Sequence, residues 1–180
     1  MVKVTGVLLL VLLCAVPAMA QDDYPKIQTS MGYSNLGFAK FASPTGATSR
    51  HSGFANETSF NVTRTLGVNN YMGIYGLGQG VSLIADFFGG KVMYRAAKVV
   101  PYALAGIGVG YFTQSSSYGY GASSSFATRI GAGTDVPISD SMALKFEISR
   151  MTFHIQTVQN GPSWSSGTNF QTGIVFTIAQ

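Results

Sequence analysis

The chain has 180 residues, which is enough for one domain. Charged residues make up 10% of it, whereas ordinary soluble domains have about 25%. The 11 basic side chains are scattered rather than clustered, which argues against a patch for nucleic acid. After residue 20, no segment has the roughly 18 to 20 consecutive apolar residues that a membrane-spanning helix needs.

The first twenty residues have the pattern of a secretory signal peptide. Lys3 gives a positively charged start, residues 7–16 form an apolar core, and residues 18–20 read A-M-A, a small-residue cleavage site. An uncleaved membrane anchor is disfavoured because the apolar run is too short to span a bilayer. We predict a signal peptide over residues 1–20 and one β-barrel domain over residues 21–180.

Eight runs of the mature chain show the period-two alternation of β-strands. The predicted strands cover residues 26–38, 53–64, 69–77, 81–95, 99–112, 125–138, 142–155 and 168–178. The last strand can pair with the first and close the sheet, which removes both edges. A closed barrel is the only non-helical structure that satisfies its backbone in lipid. The sequence therefore predicts an all-β fold, an eight-stranded antiparallel transmembrane barrel.

The predicted connections alternate in length. Three long polar loops are expected, over residues 39–52, 113–124 and 156–167. Short turns on one side and long loops on the other are typical of outer-membrane barrels, and an even strand number puts both termini on the short-turn, periplasmic side. The long loops would then face outside, where three aromatic residues are candidates to contact extracellular ligands: Tyr118, Tyr120 and Trp164.

Charged side chains are predicted to point into the barrel, since each would cost roughly 2–4 kcal/mol on the lipid face near the midplane. The predicted lumen charge network is Glu57, Asp86, Lys91, Arg95, Arg129, Asp135, Lys145 and Glu147. Asp86 and Lys91 have opposite parity, so we expect a bulge at Gly89-Gly90 to turn both inward. Four acids and four bases favour mutual pairing that plugs a narrow lumen, with a polar conduit as the alternative.

The opposite parity is apolar and is predicted to face lipid. On the sixth and seventh strands it includes Phe126, Ile130, Val136, Leu144, Phe146 and Ile148. Aromatic residues near predicted strand ends or in loops favour two interfacial girdles over mere strand propensity. The predicted girdle residues are Tyr24, Phe38, Phe41, Tyr71, Tyr94, Tyr111, Phe112, Phe153 and Trp164.

No catalytic, cofactor-binding or metal-binding residue is predicted. His51 and His154 are isolated, whereas a metal site needs three or four clustered ligands. Glu147 and His154 differ by seven positions and so point to opposite faces of a strand, which argues against a catalytic set. The G-I-G-V-G run at residues 106–110 lacks the spacing and the helix of a phosphate loop. Cys14, the only cysteine, lies in the predicted signal peptide.

Residues 100–111, V-P-Y-A-L-A-G-I-G-V-G-Y, resemble a strand of small eight-stranded outer-membrane barrels, the group of the OmpA membrane domain, OmpX and OmpW. Residues 91–95 and 32–34 fit the same group, so the chain resembles the outer membrane protein β-barrel domain family over residues 24–178. The resemblance implies an outer-membrane, porin-like barrel that is exported through the periplasm. It implies no particular activity, because the family has many roles.

The end of the chain is similar to the signal by which the barrel-assembly machinery recognises its clients. The matching residues are Gln171, Gly173, Phe176 and Ile178. Such clients usually end on an aromatic residue, whereas this chain ends Ile178-Ala179-Gln180. The predicted partners are therefore this machinery and outer-membrane lipids, with possible extracellular ligands at the loops and no nucleic acid.

Three functions are compatible with these patterns. The first is a structural or surface-interaction role for a monomeric barrel without enzymatic activity. The second is a narrow channel for small or hydrophobic solutes. The third is a soluble, lipocalin-like ligand-binding barrel, which would need an apolar interior and a polar exterior.

Overall fold

The computed structural model describes residues 24–38, 49–78, 81–95, 98–116, 119–157 and 161–180. The predicted signal peptide lies outside these residues and stays a prediction. Within the described ranges, no helix is both long enough and apolar enough to cross a membrane.

Eight strands follow one another along the chain. They are β1 (Ile27–Phe38), β2 (Ser49–Asn61), β3 (Leu66–Gly78), β4 (Val81–Met93), β5 (Val100–Ser116), β6 (Gly119–Pro137), β7 (Met142–Thr157) and β8 (Gly161–Ala179). Each strand pairs antiparallel with its neighbours in sequence, and β8 pairs with β1, so the sheet is a closed barrel. The predicted eight-stranded antiparallel barrel is therefore confirmed.

The two ends of the barrel differ. The first and last described residues and the connections at 62–65 and 138–141 lie at one end, which we name the turn end. There the Lys26 amide donates to the Ala179 carbonyl over 2.8 Å, which continues the closing seam beyond β1. The opposite end, named the loop end, carries the connections between β1 and β2, β3 and β4, β5 and β6, and β7 and β8. The residues that join these strands lie outside the described ranges.

The strands of one half of the barrel are longer than predicted. β5 to β8 have 17, 19, 16 and 19 residues, whereas β1 to β4 have 12 or 13. The predicted long loops at 113–124 and 156–167 are largely wrong, since Thr113 pairs with Ala122 and His154 pairs with Trp164. Such Ser- and Gly-rich segments lack a strong alternation, but antiparallel pairing satisfies their backbone groups all the same.

Along β5 to β8, the alternate positions that hold charged residues face inward, and the positions between them, which are mostly apolar, face outward, as predicted. Ile130 is 64% exposed and Phe146 is 48% exposed on the outer wall, whereas Lys145 in the interior is 1% exposed. The soluble, lipocalin-like alternative is therefore wrong, because it requires the reverse arrangement.

The predicted aromatic girdles are only partly correct. Tyr94, Tyr111 and Trp164 lie exposed on the outer wall. The other described members of the predicted set are buried instead: Tyr24, Phe38, Tyr71, Phe112 and Phe153. Four of these have the parity of inward residues, and strand parity decides the face whatever the distance from a strand end. Phe41 lies outside the described residues.

Asp86 does not point into the barrel, and the predicted bulge at Gly89-Gly90 is absent. Pairing of β4 with β5 runs unbroken from Val81 to Met93, so Asp86 and Lys91 face opposite sides. A Cβ at Gly89 would lie 2.2 Å from the carbonyl oxygen of Ala105, so this glycine permits close strand contact without a bulge. On the outer wall, the Asp86 carboxylate accepts a 2.9 Å hydrogen bond from the Asn70 amide.

This placement predicts that Asp86→Leu stabilises the barrel in a bilayer. A carboxylate on the lipid-facing wall is costly, and its removal should raise the free energy of unfolding by about 1–2 kcal/mol. Urea unfolding in lipid vesicles, followed by fluorescence of the single tryptophan, measures this change. Asp140→Leu, in an exposed turn, is the matched control and should change little. A loss of stability in Asp86→Leu alone would contradict the outward placement.

Candidate functional site

The half of the lumen nearer the turn end, called the lower half below, holds a cluster of charged side chains centred on Glu57 of β2. Three cations from three other strands contact this carboxylate. Lys145 Nζ lies 2.9 Å from Glu57 Oε1, Arg129 Nη2 lies 3.2 Å from Oε2, and Lys91 Nζ lies 3.6 Å from Oε1. These side chains are at most 5% exposed, so water does not screen their interactions.

Two further carboxylates complete the cluster. Glu147 forms ion pairs with Arg129 and with Lys145, the second over 3.4 Å, and Asp135 lies 3.6 Å from Lys91. We name these six residues the lumen cluster: Glu57, Lys91, Arg129, Asp135, Lys145 and Glu147. Three negative and three positive charges cancel, which is the condition under which buried charges are tolerated.

Tyrosine rings line the lumen cluster. The Tyr102 hydroxyl donates to Glu147 over 3.1 Å, and Lys91 Nζ lies 3.8 Å from the centroid of the Tyr102 ring. The guanidinium of Arg129 lies 3.8 Å from the centroid of the Tyr71 ring. These contacts add cation–π attraction to the ion pairs and leave little room for water.

Two of the eight predicted network residues lie apart from the lumen cluster. Asp86 faces the outer wall, as described above. Arg95 follows β4 at the turn end, where its guanidinium donates to the Arg64 carbonyl over 3.1 Å. The structure therefore brings together six of the eight residues, three acids and three bases.

A layer of hydroxyl and amide groups lies above the lumen cluster, toward the loop end. Ser34 donates to Asn169 over 2.7 Å, and the Tyr75 hydroxyl lies 2.9 Å from the Ser34 hydroxyl. Tyr71 and Tyr75 also share a hydrogen bond, and the ring of Tyr71 packs against the guanidinium of Arg129. This layer connects the charged half of the interior to the apolar half.

Four phenylalanine rings fill the half of the lumen nearer the loop end, and we name them the aromatic plug: Phe38, Phe87, Phe112 and Phe153. The sequence predicts three of them, Phe38, Phe112 and Phe153, at the membrane interface instead, and Phe87 is not among the predicted residues. Phe153 is at its centre, with ring centroids 5.8 Å from Phe38, 6.2 Å from Phe87 and 5.6 Å from Phe112. Inward parity on β5 and β7 is the sequence feature that identifies Phe112 and Phe153.

Among the glycines at residues 106–110, Gly110 makes room for this plug, whereas Gly106 and Gly108 lie against the backbone of β4. A Cβ at Gly110 would lie 2.6 Å from the Phe153 ring, so only glycine fits there. Their role is the packing of small inward residues, as predicted, rather than the binding of phosphate.

Little free space remains inside the barrel. The cavity beside Glu57, Lys91 and Lys145 has a volume of about 10 Å³, which is close to the minimum for one water molecule. The lower mouth, near Arg95 and Asp135, has a cavity of about 180 Å³. Among the described residues, the interior around the lumen cluster is therefore packed with side chains, as eight strands allow.

A closed barrel with an apolar outer wall and a polar interior is the architecture of outer-membrane β-barrel proteins. The chain matches the family model of the outer membrane protein beta-barrel domain over residues 6–177, and it belongs to that family. The resemblance predicted from the sequence is confirmed, and the protein is located in the outer membrane. The comparison with curated proteins gives no match to this sequence.

Solved structures of bacterial outer-membrane proteins share the fold. Neisserial surface protein A has 9% sequence identity and a TM-score of 0.69, and the match covers 85% of this chain and 97% of that one. The N-terminal barrel domain of Pseudomonas aeruginosa OprF has 15% identity and a TM-score of 0.55, with 84% and 98% covered. Ail, the attachment invasion locus protein of Yersinia pestis, has 15% identity and a TM-score of 0.53, with 83% and 97% covered. At such identities the likeness concerns the fold alone.

The four residues of the predicted assembly signal lie on the closing strand β8. Gln171 points into the lumen and is 3% exposed, whereas Phe176 and Ile178 face outward. Gly173 packs against Gly32 of β1, where a Cβ would lie 2.3 Å from the Met31 carbonyl oxygen. The structure thus gives Gly173 a packing role at the seam, and recognition by the assembly machinery stays a prediction.

The central position of Glu57 predicts that Glu57→Gln strongly destabilises the barrel. The change leaves three buried cations with too little negative charge and should lower the free energy of unfolding by about 3–5 kcal/mol. Urea unfolding in lipid vesicles measures the loss, and Asp140→Asn in the exposed turn is the control.

A second variant separates charge balance from shape. Adding Lys145→Met to Glu57→Gln removes the nearest cation and restores neutrality, so part of the lost stability should return. A Glu57→Gln protein as stable as Asp140→Asn would contradict a central role for this carboxylate.

Proposed function

We propose that the protein is a non-conducting outer-membrane scaffold that presents its loop end to partners outside the cell. The observation that supports this most is the filled lumen. The lumen cluster occupies the lower half and the aromatic plug occupies the upper half, so a solute would have to displace both. This favours a structural or surface-interaction role over the predicted alternative of a narrow channel.

The outer wall near the loop end offers surface for such contacts. Trp164 is 60% exposed on the extended part of β8, and its ring centroid lies 4.8 Å from that of His154 and 6.4 Å from that of Phe126. Strands β5 to β8 are longer than β1 to β4 by about four residues, or roughly 13 Å along a strand, so this side of the wall extends further at the loop end. Of the other two predicted contact residues, Tyr120 belongs to β6 and Tyr118 lies outside the described residues.

We infer no enzymatic activity for this barrel. Glu147 points inward and is engaged by Arg129 and Tyr102, while His154 faces outward against Trp164. The described residues contain no group of three or more His, Cys, Asp or Glu side chains that could hold a metal ion. The acid and base that a hydrolytic site would need therefore lie on opposite faces of β7.

A barrel of the same fold is named for attachment, which is compatible with a surface role here. Ail has also been solved in complex with the heparin analogue sucrose octasulfate. For the present chain we propose contacts at the loop end without carrying over that ligand. We also propose that the barrel acts as a monomer, that lipids cover its apolar wall, and that assembly machinery reads Gln171 before closure turns it inward.

The proposal predicts that the purified protein produces no channel steps in planar lipid bilayers. The triple variant Phe87→Ala, Phe112→Ala and Phe153→Ala removes most of the aromatic plug and should still conduct poorly, because the lumen cluster remains. Adding Arg129→Ala to that variant opens the second layer and should produce measurable current. Reproducible steps in the unmodified protein, enlarged by removal of the plug alone, would instead establish the channel alternative.

A further inference from the structure

Acidic residues are absent from the sequence of the loop-end connections, which are residues 39–48, 79–80, 117–118 and 158–160. The acidic side chains of the described residues lie in the lumen, on the wall at Asp86, or in the turn at Asp140. The basic residues of the outer wall near the loop end are Arg50 of β2 and Arg150 of β7. This end of the barrel is therefore suited to anions.

A single row of paired residues on the wall joins the two arginines. Arg50 pairs with Gly37, which pairs with Thr168, which pairs with Arg150, so a single row of paired residues contains both. Three strand spacings separate them, roughly 14 Å along the sheet. A long guanidinium side chain from each position can approach a common ligand between them.

Arg150 marks the upper edge of the apolar wall. The outward residues below it on β7 are apolar, namely Met142, Leu144, Phe146 and Ile148, whereas Thr152 and His154 above it are polar. Membrane interfaces begin where the apolar band of a barrel ends. Arg150 therefore lies where the apolar band of β7 ends, at the start of the membrane interface.

A groove of about 660 Å³ lies directly below this row, on the outer face of β6, β7, β8 and β1. Small residues form its floor, including Ala132 and Thr134, between the bulky side chains of Tyr33, Phe146, Ile148 and Phe170. Its size falls within the range of about 300–1,000 Å³ for ligand sites. Because it opens on the lipid-facing wall, an acyl chain can enter it.

Arg50 connects the basic row to the groove. Its guanidinium carbon lies 5.6 Å from the ring centroid of Phe170, which lines the groove, so the side chain leans across β1 toward it. Both arginines are exposed, and among the described residues neither has a carboxylate partner within ion-pair distance. They contrast with Arg129, whose charge is neutralised in the lumen.

We propose that this groove binds a phosphorylated lipid of the outer leaflet, with its phosphate held by Arg50 and Arg150 and one acyl chain along the groove. Guanidinium groups bind phosphate through paired, charge-assisted hydrogen bonds. The apolar side chains of the groove bury the chain. Glu147 is part of the same stretch of β7, but its carboxylate faces the lumen and is neutralised there by Arg129. The site is on the outer wall and is therefore separate from the filled lumen and from the rim near Trp164.

Native mass spectrometry of the full-length mature protein in neutral detergent tests the site, with dioctanoyl phosphatidic acid as the probe. We expect one tightly retained lipid, with dioctanoyl phosphatidylcholine retained less. The double variant Arg50→Gln and Arg150→Gln should weaken retention by about tenfold or more. The control pair Arg64→Gln and Lys98→Gln removes the same charge at the turn end and should leave binding unchanged.

The groove is tested separately by Ala132→Phe, which places a ring on its floor. This change should weaken lipid retention about tenfold, whereas Ser82→Phe on the outer wall of β4, away from the groove, should not. Equal loss in the arginine pair and its control would overturn the site. So would retention unaffected by Ala132→Phe, or displacement of the lipid by millimolar inorganic phosphate, since a simple anion site has no need of an acyl chain.

Discussion

The carboxylate of Glu57 is the contact on which the interior of this barrel depends. It receives cations from β4, β6 and β7, so a single side chain of β2 ties four of the eight strands together across the lumen. A buried charge is tolerated only when it is paired, and here each of the three cations has a second carboxylate, Asp135 or Glu147. The cluster is thus a closed network rather than a set of separate pairs, and removal of any member affects the others.

The filled interior has a consequence for the outer surface. Because ion pairs and aromatic rings brace the strands from within, the wall can carry features that contribute nothing to closure. One half of the wall extends beyond the other at the loop end, with Trp164 exposed on it. The wall also combines an apolar groove with two arginines in a single row of paired residues, and neither arginine has a carboxylate partner among the described residues. The lumen therefore supplies rigidity, and the surface and lipid contacts that we propose lie on the outer wall.

Strand parity made most of the fold predictable from sequence, and the errors arose where parity was set aside. Nearness to predicted strand ends places Phe112 and Phe153 in interfacial girdles, although their parity is inward. The cost of a charge on the wall predicts a bulge that turns Asp86 inward, and this prediction is wrong. The structure retains the parity and stabilises the carboxylate with the Asn70 amide, a partner on β3 that β4 alone does not reveal.

The sequence by itself determined the number of strands, their antiparallel order, the closure of β8 on β1 and the inward placement of the six charges, because alternation along a strand is a local property. Only the tertiary structure decided which charges meet, how far β5 to β8 extend, and where the wall is concave. These depend on register between strands, and neighbours such as Glu57 and Lys145 are 88 positions apart in the chain. Polar Ser- and Gly-rich segments become strand or loop according to the partner beside them, and no single segment contains that information.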